Sequence, residues 1–592
     1  MDAMLRDAGS ALKFFTFLNK SSPDNAVLES LSENGTLENR LRDLSAQAVL
    51  FAASPKRLEI LSIARPATHT SVKVRVHRNH AFESLASAIP AWMAMRGWSP
   101  EFQLSDYDDT LNFQINGRVD AEIIWVDFSR YADRMSAADF ASWLHERTAF
   151  LQKNSGAPVL LMNWVEKPEV AAAVEHAFTR LPLAGVLLAS MEFVPAALGN
   201  AWLDERVAKF SGTRLSERAI MLLARELACC WLPALIAPRL KAVVLDLDNT
   251  LYSGVLGEDG IEGIQLTDAH RALQSHLAGL RESGVFLALA SRNEPVDVEN
   301  LFQSRADFPL RWEHFSSRQI SWQPKSEALR QIANDLRIGI DAMVFVDDNI
   351  GELAQVGAEL PGLNFIHAKA DAAATLRAVD HFPGLWTPGV TAADRLRVKD
   401  LEATREREAL LQHTTSPAEY FQSLQVEITL APSPLAHAQR IAELSAKTNQ
   451  FNLALRRINI AEVEQRLRDP NRPIVTIQMQ DRLSDSGIVG ALFCELTPAA
   501  AVVDELVISC RSLGRNLEEL MIAEALKLAC PEWKARKLIF HVNEGPRNGP
   551  ARAWLERAAG RALQAGDSVV EIPTAYCQPR AEFAHVTIRI TH

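Results

Sequence analysis

The segment VVLDLDNT at 243–250 constrains the fold of this 592-residue chain more than any other part of the sequence. Its β-branched apolar run is typical of a buried parallel strand. Asp246, Asp248 and Thr250 follow that run, at the end of the strand where α/β sheets bind their ligands. Two carboxylates that are ionised at neutral pH need a counter-charge, which Mg²⁺ bridging carboxylate and substrate phosphate commonly supplies. An N-cap role for Asp248 or Asn249 at the start of the next helix is the alternative.

Three later segments also carry candidate site residues. Two are apolar runs that end in polar residues, and the third places a lysine at the start of a predicted helix. Apolar runs separated by helical stretches predict an α/β fold with a doubly wound parallel sheet over 238–385. The carboxyl ends of its strands would meet in one crevice. The segments are LALASRN (287–293) with Ser291, WQPKSEAL (322–329) with Lys325, and MVFVDDN (343–349) with Asp347 and Asp348.

These side chains are the parts that phosphoryl transfer needs. Asp246 can attack phosphorus and form an aspartyl-phosphate, and Asp248 is placed to donate and accept the proton. Thr250, Ser291 and Lys325 can hold the phosphate oxygens, and the lysine offsets the developing negative charge. Each residue also has a structural interpretation as a turn, helix-start or loop residue; their order at successive strand ends favours a site. The Mg²⁺ ligands in this hypothesis are Asp246, Asp248 through its backbone carbonyl, Asp347 and Asp348.

The order of these motifs resembles that of the haloacid dehalogenase (HAD) phosphatase superfamily. Four segments are similar to the FkbH-like members of that superfamily: LDLDNTLYSGVLGEDG (245–260), LALASRNEPVDV (287–298), WQPKSEAL and FVDDNIGEL (345–353). The resemblance implies a glyceryl transferase/phosphatase. Such an enzyme takes 1,3-bisphosphoglycerate as the donor, releases phosphate, and passes the glyceryl unit to the phosphopantetheine thiol of an acyl carrier protein in polyketide or related biosynthesis.

Length and composition are those of a soluble globular protein with several domains. The chain has room for three or four domains, and its 48% hydrophobic and 23% charged residues are ordinary values. The net charge is −11, and no basic run points to nucleic acid. No uninterrupted apolar stretch reaches about 18 residues, and the N-terminus lacks a signal-peptide pattern, so no membrane is expected. Six cysteines without a C-x-x-C pair favour the cytoplasm and no zinc site.

Residues 1–235 form a separate region in this interpretation. The pattern of strands and helices favours a flavodoxin-type α/β layer, and it resembles the SGNH-hydrolase-like region of FkbH-like proteins. No G-D-S-type nucleophile segment opens the region, and Asn79 and His80 are interpreted as helix-start residues. We therefore expect a scaffold or a carrier-protein docking domain. The predicted strands are VKVRVHRNH (73–81), AEIIWVDFSRY (121–131) and APVLLMNW (157–164).

A charged helical linker is predicted over 386–420, with its charges on a solvated face. Beyond it, 421–592 contains a strand, the turn CRSLGRNL (510–517) and a helical pattern. Such a turn directs backbone N–H groups at an anion, and it resembles the pyrophosphate loop of GNAT acyltransferases. KTNQFNLALRR (447–457) and the strand–helix element at 537–558 match the C-terminal GNAT-like α+β region of FkbH-like proteins. On this resemblance, the pantetheine-binding residues are Arg511, Gly514 and Asn548.

Two departures from the family patterns bear on the acyl step. Asn516 stands where the GNAT pattern has glycine or alanine, which disfavours a coenzyme A site and leaves a looser pantetheine groove. Ala290 stands where many FkbH-like proteins have a cysteine before the serine of the second motif. Cys510 is then the candidate catalytic cysteine, although a buried strand cysteine is the alternative. Without a usable thiol, the carrier's own pantetheine thiol would attack the acyl phosphate directly.

The sequence leaves three functions open. The first is a carrier-loading acyl transferase that uses an acyl phosphate and releases phosphate. The second is a HAD phosphatase that acts on a small phosphorylated metabolite without acyl transfer. The third is a non-catalytic assembly protein, which the complete set of motifs disfavours.

Overall fold

The computed structural model describes residues 44–63, 70–131, 134–413, 416–509, 511–513, 515–545, 547–564 and 566–591. These residues fall into two compact units, one that ends at Val390 and one that begins at Thr391. Cys510 and Gly514 lie outside the described residues, so their predicted roles stay predictions.

The first unit opens with a sheet of β1 (Thr70–Arg78), β2 (Trp98–Tyr107), β3 (Ala121–Trp125), β4 (Val159–Asn163) and β5 (Val186–Ser190). Its neighbours are parallel, in the order β2-β1-β3-β4-β5. This is the flavodoxin order, which confirms the predicted α/β layer. Its helices include 44–50, Arg57–Leu61, Glu83–Met93, Ala137–Ser155, Pro168–Arg180, Phe193–Leu198 and Glu205–Ser211.

A long apolar helical segment leads from this sheet to the next one. It consists of the α-helix Glu217–Glu226, a π-helical turn at Leu227–Trp231 and the α-helix Leu232–Ile236. Within the described residues, Glu217–Ile236 is the helix with the length and hydropathy of a membrane span, and 72% of its apolar window is buried inside the fold. Such burial is typical of the core helix of a soluble protein.

The second sheet of the first unit comprises β6 (Ala242–Leu245), β7 (Phe286–Ser291), β8 (Phe315–Ile320), β9 (Met343–Asp347) and β10 (Asn364–His367). All neighbours are parallel, in the order β10-β9-β6-β7-β8. The direction of winding therefore reverses between β6 and β9, as in doubly wound sheets, and the prediction for 238–385 is confirmed in its fold class. Its helices are Leu256–Gly263, Asp268–Glu282, Pro295–Ser304, Lys325–Asp335, Ile350–Glu359 and Ala372–Asp380.

The second unit has an α+β fold with a mixed sheet. The strands are β11 (Glu427–Pro432), β12 (Ile474–Gln480), β13 (Asp485–Leu496), β14 (Ala500–Ile508), β15 (Lys537–His541), β16 (Val569–Ile572) and β17 (Thr587–Ile590). Their order is β16-β15-β14-β13-β12-β11-β17, in which β14–β15 and β11–β17 are parallel pairs. The helices are Ala392–His413, Pro417–Leu424, Ala438–Lys447, Ile460–Leu467, Glu518–Ala529 and Gly549–Ala559.

The helix Ala392–His413 does not carry all of its charges on a solvated face, so that prediction is wrong for three residues, of which Asp394 is paired with Arg397 of the same helix. Asp400 and Arg407 are buried. Arg407 donates twice to Asp481, at 2.8 and 2.9 Å, and Asp400 accepts from Ser484 and Ser486 at the start of β13. The helix is therefore held to the sheet of the second unit by buried ion pairs, which a sequence pattern of mixed charges does not reveal.

Asn79 and His80, at the end of β1, do not cap the following helix, and that prediction is also wrong. Asn79 accepts from the backbone N–H of Asp127 at 2.9 Å. The His80 ring is buried, stacks on Trp125 at 4.7 Å between centroids, and bonds Thr213 through Nδ1. Burial, together with nearby guanidinium charges, lowers the pKa of His80 to about 3. The imidazole is therefore neutral in the folded protein at neutral pH.

We expect His80 to make the first unit less stable in acid. The unfolded chain protonates this histidine below its ordinary pKa of 6.5, whereas the folded chain does so only near pH 3. The free energy of unfolding should thus fall by about 2 kcal/mol between pH 7 and pH 5 from this group alone. Urea denaturation followed by tryptophan fluorescence should show that His80→Asn loses this part of the decline. The exposed-histidine control His176→Asn should keep it; equal slopes in all three proteins would contradict the assignment.

Candidate active site

The carboxyl ends of β6 and β9 bring two aspartates together at the reversal point of the sheet. Asp246 directly follows β6, and its backbone N–H donates to the carbonyl of Val346 at 2.9 Å. Asp347 is the last residue of β9. Both side chains are buried, because the strands that carry them lie in the centre of the sheet. Ligands of doubly wound sheets bind in the crevice at this point.

Lys325 lies between these two carboxylates. Its Nζ is 3.0 Å from Asp246 Oδ1 and 2.5 Å from Asp347 Oδ2, and its side chain is only 6% exposed. The lysine opens the helix Lys325–Asp335 after Pro324, so the loop that follows β8 delivers the ammonium to the crevice. The structure thus brings together the first, third and fourth motifs predicted from the sequence.

The charges of this cluster do not balance. Burial raises the pKa of Asp246 to about 6, although the Lys325 charge opposes the rise. Burial also raises the pKa of Asp347, and it raises that of Asp348 to about 6. Burial by itself lowers the pKa of Lys325, but the two carboxylates outweigh it and the pKa is raised. With all groups ionised, three carboxylates face one ammonium, and the excess of two negative charges equals the charge of one divalent cation.

The donor set fits Mg²⁺. Carboxylate oxygens of Asp246, Asp347 and Asp348 lie within 4.8 Å of one another. A small number of carboxylate oxygens suits Mg²⁺, because its remaining coordination positions are filled by water or by substrate oxygens. Asn349, not Asp347 or Asp348, caps the following helix by accepting from the N–H of Gly351, so both aspartates are left to the crevice. These residues would hold the metal predicted from the sequence.

Asp248 is held by three donors. Its Oδ1 accepts from the Tyr252 hydroxyl at 2.7 Å and the backbone N–H of Leu256 at 2.9 Å, and its Oδ2 accepts from Asn293 Nδ2 at 2.9 Å. The Leu256 bond means that Asp248 does contact the start of the next helix, as the N-cap alternative proposes. These three hydrogen bonds fix the orientation of the Asp248 carboxylate.

Asn293 and Tyr252 are site residues that the motif pattern does not single out. Asn293 is buried and its Nδ2 also lies 3.2 Å from Ser291 Oγ, so it joins the second motif to Asp248. Burial raises the pKa of Tyr252, which keeps its hydroxyl protonated as a donor. Tyr252 lies within the first motif segment (245–260), and Asn293 lies two residues after Ser291 in the second (287–293). Only their contacts reveal the roles.

Thr250 and Ser291 occupy the positions expected of phosphate ligands. Both are buried, and Ser291 is the last residue of β7. The Thr250 hydroxyl has no hydrogen-bond partner within the described part of the chain. A buried hydroxyl without a partner is costly, and an oxygen of a bound ligand would satisfy it.

The residues predicted to bind pantetheine are used inside the second unit. Arg511 is nearly buried, with Nη1 3.5 Å from Asp400. Asn548 is fully buried, and its amide donates to the carbonyls of Asn452 and Asn543. The predicted pantetheine-binding roles of Arg511 and Asn548 stay predictions. The turn does connect a strand to a helix, as the pattern predicts.

The cysteines within the described residues do not offer a nucleophile. All five are buried: Cys229, Cys230, Cys494, Cys530 and Cys577. Burial raises the pKa of each of these thiols, to about 12 for Cys494 and about 11 for Cys577. The thiolate is the reactive form, so these five are structural.

Comparisons with known proteins give similarities to solved structures. No protein-family model and no curated protein matches the chain. The N-terminal part of BF1531 from Bacteroides fragilis, described as containing a phosphatase domain complexed with Mg, is 20% identical, with 57% of this chain and 98% of that chain covered and a TM-score of 0.45. An uncharacterised protein from Corynebacterium glutamicum is 18% identical over 24% of this chain and 95% of its own, with a TM-score of 0.18. A fungal β-N-acetylglucosaminidase with a GCN5-related glucosamine N-acetyltransferase region is 10% identical over 89% of this chain and 68% of its own, with a TM-score of 0.14.

We expect Mg²⁺ binding to depend on Asp347. Asp347→Asn replaces a charged donor by a neutral amide, and it should weaken Mg²⁺ binding by at least about tenfold. Isothermal titration calorimetry of both proteins measures the difference. Asp297→Asn changes an exposed aspartate of the helix Pro295–Ser304 and is the matched control, with affinity unchanged. Equal affinities in the Asp347 variant and the parent would remove this residue from the metal site.

Proposed function

We propose that the crevice between β6 and β9 catalyses a Mg²⁺-dependent reaction of a phosphorylated substrate, with release of phosphate. The contact that carries the proposal is the buried Asp246–Lys325–Asp347 cluster at the reversal point of a doubly wound sheet. A carboxylate beside a fixed ammonium supplies both a nucleophile and a charge that stabilises the transferred phosphate. The motif order of the HAD superfamily supports the same reaction class.

Each residue has a defined task in this reaction. Asp246 attacks phosphorus, and the leaving oxygen takes a proton from Asp248. Water then attacks the aspartyl-phosphate and gives its proton to Asp248. Lys325 stabilises the negative charge on the phosphate oxygens, and the hydroxyls of Thr250 and Ser291 donate to them. Mg²⁺, when bound by Asp246, Asp347 and Asp348, would neutralise charge on the phosphate.

The resemblance to FkbH-like proteins extends this proposal to an acyl phosphate such as 1,3-bisphosphoglycerate. Here the phosphopantetheine thiol of an acyl carrier protein attacks the carbonyl carbon. The C–O bond breaks, the C1 phosphate leaves with its bridging oxygen, and the thiol proton passes to a base in the crevice. This step leaves a 3-phosphoglyceryl thioester, and the glyceryl unit forms when the 3-phosphate is then hydrolysed through Asp246. The five described cysteines are buried, so the attacking thiol in this proposal is that of the carrier, or that of Cys510 with the carrier accepting the acyl group from it. Free buried thiols also suit the reducing cytoplasm, where we place the reaction.

The alternative is a HAD phosphatase that hydrolyses a small phosphorylated metabolite. It uses the same side chains and needs no carrier protein. The two reactions differ in which bond breaks: the P–O bond in hydrolysis through aspartyl-phosphate, and the C–O bond in acyl transfer. A non-catalytic role is disfavoured because the buried lysine and aspartates form a complete reactive cluster.

Asp246→Asn should reduce phosphate release through aspartyl-phosphate at least about a thousandfold, because an amide is not a nucleophile and loses the charge that pairs with Lys325. Phosphate release from acetyl phosphate in the absence of a carrier protein measures the effect. The control Asp297→Asn should retain the parent rate. Full hydrolytic activity in the Asp246 variant would overturn its proposed role as the nucleophile.

The two reactions can be told apart in water enriched in ¹⁸O. The protein is incubated with Mg²⁺, 1,3-bisphosphoglycerate and a holo-carrier protein, after which the carrier and the phosphate are weighed by mass spectrometry. Acyl transfer predicts a 3-phosphoglyceryl mass on the carrier and phosphate without solvent oxygen. A glyceryl mass on the carrier must be accompanied by a second phosphate, from the 3-position, that contains one ¹⁸O. Hydrolysis through aspartyl-phosphate predicts an unmodified carrier and one ¹⁸O in the phosphate. If a protein that binds Mg²⁺ yields neither product above the enzyme-free rate, acyl transfer from this donor is excluded.

A further inference from the structure

The second unit contains a gap between two parallel strands. β14 and β15 pair only from Ala500 opposite Lys537 to Val503 opposite Phe540. β14 then continues to Ile508, while β15 ends at His541. The backbone of β14 at 506–508 is therefore left without β15 as a neighbour. An extended chain that carries amide groups could add to such a backbone edge.

The protein's own segment at 451–453 occupies this edge. The backbone N–H of Leu453 donates to the carbonyl of Leu506 at 3.1 Å, and the N–H of Ile508 donates to the carbonyl of Phe451 at 2.9 Å. On the other side, the N–H of Asn543 donates to the carbonyl of Leu453 at 3.0 Å. The segment thus bonds to the chain on both sides of the gap, as an inserted strand does.

Buried side chains fasten the same segment. The two oxygens of Glu505 accept separately from the backbone N–H groups of Ala454, at 3.1 Å, and Arg456, at 2.7 Å. Asn543 Nδ2 donates to the carbonyl of Ala454 at 2.6 Å. Asn548 Nδ2 donates to the carbonyl of Asn452 at 3.1 Å. These side chains satisfy main-chain groups that would otherwise be available to a ligand.

Packing makes the segment part of the core. Phe451 and Leu453 are buried, and the Phe451 ring lies 5.9 Å from that of Trp554. Leu455, just beyond, has a φ of 56°, a left-handed conformation that a leucine adopts only when its surroundings hold it there. A Cβ on Gly545 would lie 2.5 Å from Leu455 Cδ1, so any other residue at 545 would require the leucine side chain to move.

We infer that residues 451–455 are an internal strand that closes the gap between β14 and β15, with Glu505, Asn543 and Asn548 as its anchors. This assigns a role to the amide-rich segment KTNQFNL. It also means that a pantetheine arm, which is an extended chain with two amides, does not enter the second unit at this gap. The inference does not depend on the proposed phosphate chemistry, and its failure would leave that chemistry intact.

Hydrogen exchange followed by mass spectrometry tests the closed gap in the full chain. Peptides that cover 450–457 and 505–509 should exchange slowly, and coenzyme A or pantetheine should leave their exchange unchanged. Binding of either probe elsewhere, with unchanged exchange here, agrees with a closed gap. Faster exchange at 450–457 together with protection at 505–509 on addition of a probe would show that the probe displaces the segment, and would overturn the inference.

Glu505→Gln tests the anchor. A carboxamide has one accepting oxygen where the carboxylate has two, so the N–H of Ala454 or Arg456 loses its partner. Exchange at these amides should accelerate by roughly tenfold or more, since bonds to charged groups are the stronger ones. Glu495→Gln, at an exposed glutamate of β13, is the matched control and should leave exchange unchanged. Equal exchange in the two variants would show that Glu505 is not an anchor. The experiment with coenzyme A or pantetheine uses the parent protein, so it tests the closed gap even if a variant does not fold.

Discussion

The position of the Lys325 ammonium between Asp246 and Asp347 is the interaction on which the rest of the candidate site depends. Two buried carboxylates repel each other and are costly to desolvate, so they can remain close only with a cation between or beside them. The three groups come from the ends of β6 and β9 and from the start of a helix. The cluster therefore exists only when the parallel sheet and the loop after β8 are both in place, and one ammonium still leaves a charge excess suited to a divalent cation.

The carboxyl edges of the two parallel sheets in the first unit differ in how their charged groups are paired. At the carboxyl edge of the first sheet, Asp127 is bound by the Arg214 guanidinium at 2.8 and 3.0 Å, and His80 is neutral among aromatic rings. The charge of Asp127 is thus paired at this edge, although His80 Nε2 and Asn163 Oδ1 have no hydrogen-bond partner within the described residues. At the edge of the second sheet, the carboxylates outnumber the ammonium and the Thr250 hydroxyl lacks a partner within the described residues. The two edges therefore differ in their excess of negative charge, and the scaffold role of the first region stays a prediction.

The sequence was a good guide wherever a functional residue directly ends a buried strand or begins a helix. Asp246, Ser291 and Asp347 are placed by the strands that precede them, and alternation and β-branched runs predict those strands. The same approach failed for Asp400 and Arg407, whose partners Ser486 and Asp481 lie 86 and 74 residues away along the chain. A local pattern states which groups a turn or helix carries, but not which distant group they meet.

By itself, the sequence determined the class of fold around each motif, the order of the reactive residues, and the excess of carboxylates that favours Mg²⁺. These follow from local physics: buried runs form strands, and polar residues at their ends must be exposed or paired. Only the tertiary structure decided that Asn293 links Ser291 to Asp248, that the cysteines it describes are buried, and that 451–453 fills the gap beside β14. Each of these depends on long-range packing, in which a group finds its partner because the folded chain excludes water between them.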